Sequence, residues 1–248
     1  MGELNTKINF IKSGIYVLII IMVTAVLLYV DLSDTVSDSI QLVVIDYIAI
    51  SLFFSYTKAG KDVMCYLRGI ILSLKCKCSS RKIKVGKGVR IFHPRNITFG
   101  KNVEILQEAV FAPYAKNDEK YPSKIIVGNN VHFGVQDRIA SANKVVIEDD
   151  VLFAAFVHIT DHSHEFHNIG KSIINQGIYS KGPVIIKRGA WLAFGCHILS
   201  DVTVGEYSVV AANSVVTKDV PAYSVVAGNP ARVVSRYDFN EKKWVSCK

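Results

Sequence analysis

The sequence predicts an all-β solenoid of short strands, set behind an N-terminal α-helical membrane-anchoring segment. Three observations predict it. A six-residue period runs from Ile83 to Asp219, two apolar segments precede it, and a basic run lies between. Composition agrees. Half of the 248 residues are hydrophobic and a fifth are charged, too apolar for a disordered chain, and 16 Gly are too few for collagen. The formal charge of +8 is unevenly placed: residues 57–101 hold twelve Lys or Arg against the single acid Asp62. The five Cys (65, 76, 78, 196, 247) are an odd number, and Cys76-Lys-Cys78 is too tight for a structural zinc pair. Free thiols in a reducing compartment are expected.

Ser13 to Val30 carries no charge, and its 18 residues at about 1.5 Å each span most of a bilayer core. No small-residue cleavage site follows, so a removable secretory signal is disfavoured. Ile40 to Tyr56 is a second apolar segment, interrupted by Asp46, which is costly in lipid unless it meets a partner helix. Residues 1–60 are therefore expected to hold one or two transmembrane helices, and 61–82 a basic juxtamembrane amphipathic segment. Lys7 and Lys12 precede the first span, Asp31 to Ser39 is acidic, and the basic run follows the second. The positive-inside rule then predicts an inner-membrane protein with both ends, and all later residues, in the cytoplasm.

The period governs residues 83–236. Blocks such as IKVGKG (83–88), IIVGNN (125–130), VVIEDD (145–150) and the unbroken run from VIIKRG (184–189) to SVVTKD (214–219) begin mostly with aliphatic or small residues and turn three or four places later. Helical 3.6-residue spacing is missing, and this many Gly, Asn and Asp would break long strands. A triangular prism satisfies the pattern: one short strand and one turn per block, three blocks per coil, about six coils, with block-opening aliphatics pointing inward. A β-sandwich fits twelve such blocks poorly. Residues 163–182 break the period and must leave the prism as a loop. Residues 237–248 read as a tail, and the stretch after Val234 as a short helix or tail closing the last coil.

The stretch 184–234, VIIKRGAWLAFGCHILSDVTVGEYSVVAANSVVTKDVPAYSVVAGNPARVV, resembles the hexapeptide-repeat acyltransferases, in particular their sugar, maltose and galactoside O-acetyltransferase branch. The resemblance covers residues 83–236. It implies a left-handed parallel β-helix, acetyl-CoA as co-substrate with no other cofactor and no metal, a homotrimer with sites between neighbouring solenoids, and a saccharide acceptor. Nucleic acid is not among the implied partners, whereas a membrane-bound enzyme suits a lipid-linked saccharide.

Acyl transfer from a thioester to a sugar hydroxyl needs a base to take the hydroxyl proton, and an imidazole suits that task near neutral pH. Four of the seven His lie at or beside the period break: His158, His162, His164 and His167. The resembled branch places its catalytic His seven residues after the valine that opens the preceding block, here Val157. That spacing favours His164, and a two-residue slip gives His162; both remain candidates. Asp161 or Glu165 could orient the ring. By motif position the resemblance also assigns Trp191, Ala193, Ala212, Thr217, Lys218 and Arg232 to acetyl-CoA binding, with the Ala193 N–H facing the thioester, and Gln136 to acceptor binding.

The leading expectation is an acetyl-CoA-dependent O-acetyltransferase acting on a sugar of bacterial surface polysaccharide, O-antigen or capsule. An N-acyltransferase on an amino sugar, nucleotide-linked or not, is the alternative. A zinc-binding β-helix of the carbonic anhydrase kind, using His162 and His164, is a third.

Overall fold

The computed structural model describes residues 58–78, 82–114 and 123–247. The two apolar segments lie outside them. Among the described residues no helix is long and apolar enough to cross a membrane. Helix α1 (Lys58–Lys75) follows the second apolar segment but carries Lys58, Lys61, Asp62, Arg68 and Lys75, and hydrocarbon does not accept charge at that density. The inner-membrane location expected above is corrected accordingly. Helix α1 instead packs on the first coil of the solenoid. Leu72 is buried, Arg68 donates to the Val85 carbonyl at 3.2 Å, and a Cβ at Gly69 would fall within 1.7 Å of the Ile83 carbonyl oxygen.

The chain then winds through three parallel sheets in strict rotation. Sheet I holds β1 (Lys77–Cys78), β4 (Ile97–Phe99), β7 (Lys124–Val127), β10 (Lys144–Ile147), β15 (Val184–Ile186) and β18 (Thr203–Val204). Sheet II begins β2 (Lys84–Val85), β5 (Glu104–Ile105), β8 (His132–Phe133), β11 (Leu152–Phe153), β16 (Trp191–Leu192), β19 (Val209–Val210). Sheet III holds β3 (Arg90–Ile91), β6 (Val110–Pro113), β9 (Arg138–Ser141), β12 (His158–Thr160), β17 (His197–Ile198) and β20 (Val215–Val216). Each visit to all three sheets is one coil, so the described chain makes six. Solenoid pairing begins at Lys77, ahead of the expected Ile83, because Lys77 and Cys78 pair with Thr98 and Phe99.

The period has a simple physical origin. The first and third residue of each block point inward: Ile97 and Phe99, Val131 and Phe133, Val145 and Ile147, Val202 and Val204 are all buried. The sixth takes a left-handed turn, at Gly88, Asn102, Asn130, Asp150, Gly189, Asp201 and Asn213, which is why Gly, Asn and Asp close so many blocks. The core is aromatic at its centre. Phe99, Phe111, Phe133 and Phe153 stack in series at centroid distances of 5.5, 4.9 and 4.6 Å. Burying each such ring contributes about 2 kcal/mol or more.

The break at 163–182 is a two-stranded excursion. β13 (Ser163–His164) pairs antiparallel with β14 (Ile178–Tyr179), and the solenoid resumes with Val184 aligned on Val145. At the far end a seventh coil begins where Val220 bridges Val204 in sheet I, and β21 (Ser224–Gly228) continues it in sheet II. β22 (Ala231–Asp238) and β23 (Lys243–Ser246) then fold back antiparallel. The expected terminal helix or tail is thus a hairpin. Alternation of Arg232, Val234, Arg236 against Val233, Ser235 and Tyr237 suits a half-exposed strand.

Candidate active site

Two aspartates sit at opposite ends of sheet III strands, both fully buried. Asp161 lies where the fourth coil leaves sheet III towards sheet I. Its carboxylate accepts hydrogen bonds from Ser141 Oγ at 2.7 Å, the Ala142 N–H at 2.7 Å and the Asn143 N–H at 2.9 Å, all from the same turn one coil earlier. Its fourth partner is His162 Nδ1, at 3.0 Å from Oδ1. The Asp161 carbonyl accepts from Ser200 Oγ at 2.7 Å, one coil later. The aspartate is therefore clamped on both sides.

The arrangement sets the state of His162. Asp161 Oδ1 is an acceptor, so Nδ1 is the donor, and in the neutral ring Nε2 bears the lone pair. The ring is mostly covered, 19% of the side chain being exposed, with Tyr114 at 6.2 Å centroid distance on one flank and Thr160 Oγ1 bonded to the His162 carbonyl. A ring held this way can receive a proton at Nε2 and pass the resulting charge to a buried carboxylate. His164 is different. It stands exposed in β13, and Glu165 is engaged with His167 at 2.8 Å. The geometry favours His162 over His164 and Asp161 over Glu165 as its orienting group.

His158 lies on the outward face of sheet III, 5.4 Å from His197. Burial, then the neighbouring His197, Arg138 and His162, hold its imidazole below the ordinary value. It therefore adds little positive charge beside His162 at neutral pH.

The remaining expected residues fall into two groups. Thr217 and Lys218 are exposed at the turn from sheet III to sheet I in the sixth coil, on the same edge as His162, with Ser200 between them in the fifth. Two coils separate them, or about 10 Å. Gln136, Ala193 and Ala212 lie instead at turns from sheet II to sheet III, across the width of sheet III from His162. Trp191 stands half-exposed on sheet II between Leu152 and Val209. Arg232 is on the hairpin, bonded to the Ala231 carbonyl. One chain thus does not gather these residues around His162.

One expectation is overturned in detail. The Ala193 N–H donates to the Val210 carbonyl at 2.9 Å, so it is spent in the coil ladder and does not face a thioester. Sequence reasoning also missed the cradle of Ser141, Ala142 and Asn143. Its signal was positional: Ser-Ala-Asn occupies the turn directly beneath Asp161. All five cysteines are free; burial pushes the Cys76 and Cys196 thiols up to about 12, so both are inert. Among the described residues no three His, Cys, Asp or Glu converge on a metal position.

Three winding parallel sheets with a strand and a turn every six residues define a hexapeptide-repeat β-helix. Residues 183–218 match the bacterial transferase hexapeptide family, six repeats. The galactoside O-acetyltransferase of Escherichia coli (strain K12) is 32% identical over 124 residues, 50% of this chain and 60% of that protein. WbbJ of the same organism, named as an unproven lipopolysaccharide biosynthesis O-acetyl transferase, is 32% identical over 126 residues, 48% of this chain and 64% of its own length. The chain thus spans less than two thirds of the length of these curated relatives. AntD, an N-acyltransferase from Bacillus cereus solved with dTDP and coenzyme A, shares the fold, with a TM-score of 0.57, 16% identity, and coverage of 67% of this chain and 87% of its own. Residues 183–218 thus carry the hexapeptide-repeat transferase signature, and the fold around them is that of a hexapeptide β-helix.

Proposed function

We propose that this protein is an acetyl-CoA-dependent O-acetyltransferase that modifies a sugar hydroxyl, in the manner of surface-polysaccharide acetylation. The single observation that carries the reading is the Asp161–His162 pair: a buried carboxylate holds Nδ1–H and leaves Nε2 as the free ring nitrogen. His162 takes the proton of the acceptor hydroxyl as its oxygen attacks the acetyl carbonyl. The tetrahedral intermediate collapses, the C–S bond breaks, and the proton leaves with the CoA thiolate. The oxyanion needs an N–H donor, and since Ala193 is spent, the exposed turn at Ala212 is the candidate. Lys218 suits the CoA phosphates.

The reading includes a homotrimer. His162 and Lys218 stand on one edge of the prism, and Gln136, Ala193 and Ala212 on another. Packing prisms side by side around a threefold axis brings one edge of each against the other edge of its neighbour, which a single chain cannot do.

The test is thiol release from acetyl-CoA by the purified protein with saccharide acceptors, each compared with its amino-sugar counterpart. Acetylation of the hydroxyl sugar is expected. Exclusive use of the amine would replace the reading with N-acyl transfer. His162→Ala should lower kcat by about 10²- to 10⁴-fold, the usual contribution of a general base, while His164→Ala stays within about threefold. The reverse ranking would move the base to His164.

A further inference from the structure

Sheet III carries a polar site that the transfer step does not use. A depression of about 450 Å³ opens at its border with sheet II, floored by Val110 and walled by Arg90, Arg138, Glu108, Gln136 and Phe156. Arg90 aligns with Val110, and Val110 with Arg138. The two arginines therefore project from one column of the sheet with a single coil between them, about 10 Å apart at the backbone. Both are exposed, and neither has a hydrogen-bond acceptor or counter-ion among the described residues. The rim's one carboxylate, Glu108, is occupied by Gln136 Nε2. The site thus sets two guanidinium groups against one carboxylate, a net positive charge facing a cavity.

The backbone at the rim follows the solenoid's rule of a left-handed turn at the close of a block, as Tyr207 also does. Glu108, Gln136 and Phe156, in three successive coils, take the left-handed turn position at φ of 60°, 58° and 63°. The same turn elsewhere has Gly88, Gly195 and Asn213. Each such non-glycine residue costs about 1 kcal/mol.

Position along the solenoid says what the site would hold. The residues assigned to the donor, Trp191, Ala212, Thr217 and Lys218, lie in the fifth and sixth coils. His162 ends the fourth, and Arg90 and Arg138 stand in the first and third. In the side-by-side trimer proposed above, a ligand held by the arginines approaches the base of the neighbouring prism from the end opposite the donor residues, which is the acceptor's side. Paired forks of N–H donors match a planar carboxylate or a phosphate.

We infer that Arg90 and Arg138 bind an anionic group of the acceptor, so that the substrate class is an acidic saccharide, carrying a carboxylate or a phosphate, rather than a neutral one. The inference rests on the acetyltransferase reading above for the word acceptor, and its test is kept apart from turnover. The full chain, without acetyl-CoA, is titrated calorimetrically with a glucuronate-containing trisaccharide, its neutral glucose counterpart, a phosphorylated glucose trisaccharide and inorganic phosphate. At least tenfold tighter binding of one charged trisaccharide over the neutral one is expected, and the tighter of the two identifies the anion. Arg90→Gln and Arg138→Gln should each weaken it about tenfold, with Arg138→Lys intermediate, because a point charge keeps attraction but loses the fork. Equal binding of neutral and charged trisaccharides, or unchanged binding in the Arg90→Gln/Arg138→Gln double variant, overturns the inference. So does inorganic phosphate binding as tightly as either charged sugar. A failure of acetyl transfer would show in thiol release and leave these titrations unaffected.

Discussion

Asp137 and Asp161 are equally buried, at opposite ends of sheet III strands, yet they have different neighbours. Asp161 meets four donors, one of them an imidazole. Asp137 meets two, the N–H groups of Gly134 at 2.7 Å and Val157 at 2.9 Å, and no side-chain donor. Burial, only partly offset by those two bonds, raises the Asp137 carboxyl to about 7. The difference teaches that burial alone does not make a carboxyl useful. What faces it decides: Asp137 ties two coils together, whereas Asp161 ties two coils together and aims a ring.

The sharpest way to break the comparison is Asp161→Asn. The amide keeps the shape but cannot accept from every donor and no longer selects Nδ1–H, so kcat is expected to fall by about a thousandfold. Stability should fall by about 2–3 kcal/mol as buried donors lose their acceptor, read from urea unfolding midpoints. Asp137→Asn should leave kcat within about threefold, so equal kinetic losses in the two variants would erase the distinction.

The next effect is on pH. The unfolded Asp137 carboxyl titrates at its ordinary 3.8 and the folded one at about 7. Between these values the folded state holds a proton that the unfolded chain has released. The contribution of Asp137 to stability is therefore fully present below about pH 4 and is lost as pH rises to about 7, by about 1 kcal/mol per pH unit. Asp137→Asn should flatten that slope in unfolding titrations. His158 acts in the other direction. Its depressed value means that stability is present above the ordinary 6.5 and is lost as pH falls through its folded value. His158→Gln should remove that smaller acid-side loss. Smallest of all, Ser200→Ala deletes the hydroxyl that holds the Asp161 carbonyl from above. It should cost about 1 kcal/mol and change kcat less than threefold.

Much of the solenoid was legible because its rule is local. Inward aliphatics and left-handed Gly, Asn or Asp recur every six residues, and those residue types report their conformation directly. Where another residue takes an inward place the signal fades. The block DRIASA (137–142) opens with Asp137, and it escapes a pattern built on aliphatics. The site was less legible, because it depends on which coil stacks on which. Nothing near His162 in the chain reveals that Ser141 and Asn143 lie beneath Asp161, and counting from Val157 reaches His164, which stands exposed in β13. The Ala193 N–H was assigned outward by motif, but ladder bonds between coils claim it. The terminal hairpin was missed since Asp238 to Lys243 reads equally as a tail.

The excursion at 163–182 has a last consequence. It departs and returns without shifting a strand: Val145 aligns with Val184 as Ile125 does with Val145, and Ser200 closes over the exit by gripping Asp161. To the stack, twenty residues count as none. The appendage is therefore free to change in length and chemistry while the rungs above and below keep their places, and an arm from a relative could be spliced in between Asp161 and Val184 with the solenoid none the wiser.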